Sequence, residues 1–181
     1  RRSSREMIST VRGMGRRAAV AASSTAAGGA TGGGSGPLDA CTLIGAARAG
    51  TLLGTSVTTR AVGPTATTTT DPSRCHYSTG ALHGGFLLNV KRIEYSDAKA
   101  EARAQMRAAG KDAASFGGSE TAQLSDGLGE SAWLLTMADA TQLNVLDHGV
   151  WLVINIDQPD APAIRARLCK LAQAAIEHLP R

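Results

Sequence analysis

The chain has 181 residues, 21 of them glycine and only 3% aromatic, which suits one domain with a core of Leu, Ile, Val and Ala. The formal charge of +4 points to nucleic acid at first sight, but six Arg against one acid sit in residues 1–36, and 13 of the 19 basic and 14 of the 15 acidic residues lie in 37–181. A basic folded surface, the footprint of nucleic-acid recognition, is therefore not expected, and no stretch reaches the roughly 18 apolar residues needed to cross a bilayer.

Residues 1–36 read as a basic tail running into low-complexity AAVAASSTAAGGATGGGSG, which buries almost nothing and behaves as a flexible tether. The segment MGRRAAVAASSTAAGGA has the paired Arg and small residues of an export signal, but its apolar part holds only Ala and Val. It reads as a degenerate or truncated export segment, or as a linker. A single domain is expected over 37–181.

In LDACTLIGAARAGTLLG (38–54), Asp39 caps a short first turn, Ala46 to Leu53 form a short helix, and Gly54 follows its end. Gly45 and Gly50 weaken this region, so tertiary packing must hold it. Residues 58–74 are a Thr/Pro-rich loop. CHYST (75–79) is a short strand, and GFLLNVKRI (85–93) alternates, with Phe86, Leu88 and Val90 on one face and Leu87, Asn89 and Lys91 on the other. Ser96 or Asp97 caps an Ala-rich helix over 97–109 with a stripe of Ala98, Ala102, Met106 and Ala109; Gly110, Gly117 and Gly118 end it.

After a turn at Gly127 and Gly129, residues 132–136 form a strand. TQLNVL (141–146) and VWLVINI (150–156) form a hairpin through Asp147-His148-Gly149. Asp160 caps the longest helix, about 161–179, with the stripe Ile164, Leu168, Leu171, Ala175 and Leu179. FLLNVKRIEYSDA and VWLVINIDQPDA echo each other, each running from an alternating strand into an Asp-Ala helix start. The expected fold is α+β: an antiparallel sheet of about five strands with helices packed mainly on one face, in the order α-β-β-α-β-β-β-α.

Cys75 and His76 are adjacent on a strand, so their side chains point to opposite faces and cannot form a local dyad. Cys41, at the entry to the first helix, is the candidate partner of Cys75. A bridge would clip the weak helix and the 58–74 loop onto the sheet. The competing reading is two buried free thiols in a cytosolic protein. Cys169 lies at the edge of the C-terminal stripe and reads as packing, although Arg165 one turn away offers a cation.

His76, His83, His148 and His178 are scattered without metal-ligand spacing, so no metal or other cofactor is expected; His76 and His83 flank one hairpin. Asp126, Glu130, Asp139 and Asp147 sit in or near turns, where Asp is favoured for backbone reasons, and no catalytic residue is assigned. Trp133 and Trp151 fall on the sheet face opposite the main apolar set. They form either a candidate binding face or a second face covered by the 110–125 loop.

Several of these pieces together resemble the small exported bacterial lipoprotein or secreted domains of domain-of-unknown-function family 3558. They are Cys41, Leu53-Gly54, Cys75-His76-Tyr77 and Gly127-Leu128-Gly129-Glu130-Ser131-Ala132, over about 38–180. The resemblance implies an exported α+β sandwich with a Cys41–Cys75 bridge and no known catalytic residues. Two positions depart from that pattern: Gly45 stands where a capping Ser or Thr is expected, and LDAC places Asp39 where a lipobox needs a small or apolar residue.

The expected function is that of an exported, periplasmic, cell-surface or secreted domain acting as a non-catalytic interaction or sensor module, with a protein or small ligand of the cell envelope as partner. The rival readings are a thiol-dependent or hydrolytic enzyme using Cys169 or a His, and a nucleic-acid binder acting through the Arg-rich tail.

Overall fold

The computed structural model describes residues 36–81, 84–93, 97–115, 119–124 and 127–180. Side chains of residues 98, 109, 113, 115 and 119–124 are outside the description, as are the whole residues Ser96, His83, Gly117, Gly118 and Asp126 named above.

Two short helices come first, α1 (Ala40–Ile44) and α2 (Ala46–Leu53). Asp39 caps α1 by accepting the Cys41 N–H at 2.9 Å. Between the helices Gly45 adopts φ 61°, ψ 144°, a backbone conformation that a β-carbon penalises. The glycine is what allows the chain to turn there without a loop. Gly54 then ends α2 in the left-handed conformation.

The strands are β1 (Thr58–Ala61), β2 (Ser73–Ser78), β3 (Phe86–Arg92), β4 (Ser119–Leu124), β5 (Ser131–Thr136), β6 (Thr141–Asp147) and β7 (Val150–Ile156). The long helix α3 (Ala98–Ser115) separates β3 from β4, and α4 (Pro162–Ile176) follows β7. All seven strands join one antiparallel sheet in the order β1-β2-β3-β7-β6-β5-β4. The α+β class and antiparallel sheet therefore hold.

The count of about five strands missed β1 and β4, both edge strands. Their sequences, TTRA and SETAQL, lack the apolar alternation that marks a half-buried strand, because edge strands need little of it.

One face of the sheet carries the main core: Cys75, Tyr77, Phe86, Leu88, Val90, Leu143, Val145, Leu152 and Ile154 pack under α1, α2 and α4. The stripe of α4 is buried as its period predicts, through Ile164, Leu168, Leu171 and Ala175. Asp160 does not cap α4. Ala161 is the N-cap without a side-chain bond and Pro162 opens the helix, where its fixed φ suits the first turn. Asp160 instead pairs with Arg165.

The opposite face carries a smaller core, Ile93, Trp133, Leu146 and Trp151, on which Ala102 and Met106 of α3 are seated. Asp97 caps α3 by accepting the Ala100 N–H at 2.8 Å. The helix runs to Ser115 rather than 109, with Gly110 buried inside it. Three helices thus share one face and α3 takes the other. The two echoing strands, β3 and β7, are sheet neighbours, and the helices that follow them lie on opposite faces.

Candidate functional site

Strand β2 alternates as its sequence demands. Cys75 and Tyr77 are buried while Arg74 and His76 are exposed on the other face. His76 is therefore turned away from Cys75. The cysteine is joined to Cys41, with Cα atoms 5.1 Å apart, inside the normal range for a disulfide. Two hydrogen bonds reinforce this clip: Tyr77 Oη donates to the Ala40 carbonyl at 2.8 Å, and the Ala40 N–H donates to Ser73 Oγ at 3.0 Å. Tyr77 also stacks on Phe86, its cross-strand partner, with ring centroids 4.1 Å apart. Burial, and then the charge of Asp39, push the phenol well above its ordinary range, so it remains a neutral donor.

Cys169 is the free cysteine among the described residues, and it is half-buried on α4. Burial raises its thiol pKa, the direction opposite to that of an activated nucleophile. Its cationic neighbour is already engaged: Arg165 Nε donates to Asp160 Oδ1 at 2.7 Å, and a second nitrogen bonds the other carboxylate oxygen.

The tryptophans lie on the second sheet face, as alternation predicts. They are not an open aromatic surface: Trp133 is 7% and Trp151 8% exposed. The cover over this cluster comes from α3, through Ala102 and Met106.

α3 does not cover the whole of that face. Cross-strand register places Arg60, His76, Leu87 and Asn155 in one row, and Arg74, Asn89 and Val153 in the next. Lys91 stands opposite Trp151, with its Nζ 5.2 Å from the indole centroid. Beside α3 these residues frame a groove of about 250 Å³ lined by Arg74, Asn89, Lys91, Gln105, Trp151 and Val153. A second hollow of about 160 Å³ continues along the face, past His76 and Asn155. Trp151 Nε1 and Asn89 Oδ1 are both buried and without a hydrogen-bond partner. Buried polar atoms are rarely left so, and both residues line this groove, which makes it a candidate ligand site among the described residues.

The fold also assembles a group that sequence spacing concealed. Glu130, Asp147 and His148 bring their ligand atoms within 4.8 Å of one another. The signal was the two-residue hairpin turn, in which His148 and Gly149 adopt φ 46° and 71°. His148 Nδ1 bonds Asp147 Oδ2 at 2.9 Å, and the His148 N–H donates to Glu130 Oε1 at 3.1 Å. The Glu130 N–H donates to the Leu146 carbonyl at 2.9 Å. Gly129 makes this approach possible, since a β-carbon there would lie 2.7 Å from the same carbonyl oxygen. These bonds account for the cluster as a clamp on a strained turn. Its donor set of two carboxylates and an imidazole is also of a kind that divalent transition metals accept.

No family model, no curated protein and no solved structure matches this chain.

Proposed function

We propose that this chain is an exported cell-envelope domain that acts as a non-catalytic interaction or sensor module, presenting the part of its second sheet face that lies beside α3. The observation that carries this reading is the Cys41–Cys75 bridge. Disulfides persist in oxidising compartments and are rare in the cytosol. Here the bridge ties down the helical segment weakened by Gly45 and Gly50, so the chain gains stability where it most lacks it. The groove between α3 and the sheet supplies a binding surface with polar groups in need of partners.

The thiol-enzyme alternative draws no support from Cys169, whose pKa is raised by burial. The nucleic-acid alternative rests on the Arg-rich tail, which lies outside the described residues. It requires that deletion of 1–36 abolish binding and that any affinity fall steeply with salt.

Non-reducing peptide mapping by mass spectrometry on protein expressed with export tests the reading. A linked Cys41–Cys75 peptide together with free Cys169 supports it. Three free thiols would overturn export and return Cys75 to the reactive or metal-binding candidates.

A further inference from the structure

We infer that the groove between α3 and the β2–β3–β7 face receives an acidic residue of a peptide, its carboxylate held by Arg74 and Lys91 and its backbone amide by Asn89. This rests on the reading of the chain as an interaction module and names the chemistry of the partner.

Charge comes first. Arg74 is exposed and Lys91 half-buried, and among the described residues neither forms an ion pair. Arg60 and His76 extend the same face by one row. Among the described residues, the carboxylate bonded to a lining side chain is that of Glu101, which accepts from Gln105 Nε2 at 2.6 Å. The planar fork of Arg74 matches a carboxylate bidentately, and Lys91 adds a point charge beside it.

The unpartnered atoms then restrict the ligand further. Trp151 Nε1 is a donor without an acceptor, and Asn89 Oδ1 is an acceptor without a donor. A deprotonated anion such as acetate supplies acceptors only. A ligand that satisfies both atoms carries an acceptor oxygen and a donor hydrogen, and one that also meets the charges of Arg74 and Lys91 is anionic, as an acidic residue with its peptide group is.

Lys91 lies over the Trp151 ring, so the cation and the indole stand together at the groove. The groove, about 250 Å³, is smaller than the roughly 300–1,000 Å³ of whole-ligand sites, so it fits one side chain of a partner rather than a cofactor.

The sequence contains two tryptophans, so the full chain gives two indole cross-peaks in a ¹H–¹⁵N NMR spectrum, assigned with Trp133→Phe. The probe is N-acetyl-aspartate amide, compared with N-acetyl-asparagine amide, acetate and inorganic phosphate. The expected result is a saturable shift of the Trp151 peak with the aspartate probe, weakened at least about tenfold by Arg74→Gln and by Lys91→Gln. Both side chains lie outside the core, so the rest of the spectrum should be preserved in these variants. Three results would each overturn the inference: no movement of the Trp151 peak, equal movement with the asparagine probe, or equal movement with acetate or phosphate. Peptide mapping reports on the exported-module reading separately. A bridged protein that ignores the probe rejects the groove assignment alone, and a binding protein with three free thiols rejects export alone.

Discussion

Tyr77 donates its phenolic hydrogen to the carbonyl of Ala40 over 2.8 Å, one residue from Cys41 and two from Cys75 along their respective segments. The bond is buried, and the raised phenol pKa keeps the donor protonated throughout the working pH range. Tyr77→Phe keeps the stack on Phe86 but leaves the Ala40 carbonyl without this donor. The expected loss is about 1–3 kcal/mol, read as a lower denaturant midpoint at unchanged slope.

Removing the crosslink should cost more. Chain-entropy arithmetic gives about 4 kcal/mol for a closed loop of this length, with 34 residues separating the cysteines. Reduction, or the double change Cys41→Ser with Cys75→Ser, should lower the melting temperature. It should also free the amides of α1 and α2 to exchange before those of the central strands. Uniform loss of protection across the sheet would contradict a local clip.

Asp71 predicts an acid-sensitive loop. Its carboxylate accepts the N–H groups of Thr67 and Thr68, both at 2.8 Å, and the Thr67 hydroxyl at 3.0 Å. These bonds lower its pKa from 3.8 to about 2, led by the Thr67 backbone bond. A depressed folded-state value means that the contribution is complete above the unfolded value and is lost as pH falls through the folded one. The Thr67 and Thr68 amide resonances should therefore move with a midpoint near pH 2. Asp71→Asn should flatten that titration.

Cys169 should react slowly with iodoacetamide at neutral pH, because burial raises its pKa. Denaturant should speed the reaction to that of an ordinary thiol. Arg165→Ala should leave the native rate unchanged, since the guanidinium is already bound to Asp160. A fast native reaction, slowed by that change, would instead restore the thiol-enzyme reading.

What the sequence disclosed was set by burial. β3 alternates because one face of it is packed, β7 reads as a nearly continuous apolar run because α4 and α3 cover its two faces, and α4 shows its period because its stripe lies on the sheet. Cys75 and His76 were separable for the same reason, since a strand exposes one and buries the other. β1 escaped notice because all four of its residues are exposed, so no pattern is imposed on it. The full length of α3 was hidden behind Gly110, which usually marks a helix end but here is buried within the helix. The Glu130–Asp147–His148 group depends on a hairpin register that brings positions 17 and 18 residues apart together. The groove's character depends on which part of a face α3 leaves bare, and local periodicity carries no record of that.

Among the described strands, β7 comes last in sequence and is the middle strand of the sheet, with three strands on either side. β3 and β6 have no pairing on their inner edges until β7 is in place. A chain emerging from its amino end can close the cysteine loop early, yet its two half-sheets stay apart until residues 150–156 are delivered. Such an arrangement joins distant segments late and at high loop-closure cost, so assembly should be slow and all-or-none. Any cut or stall before β7 leaves two exposed strand edges, a hazard that quality control must meet as the chain is made.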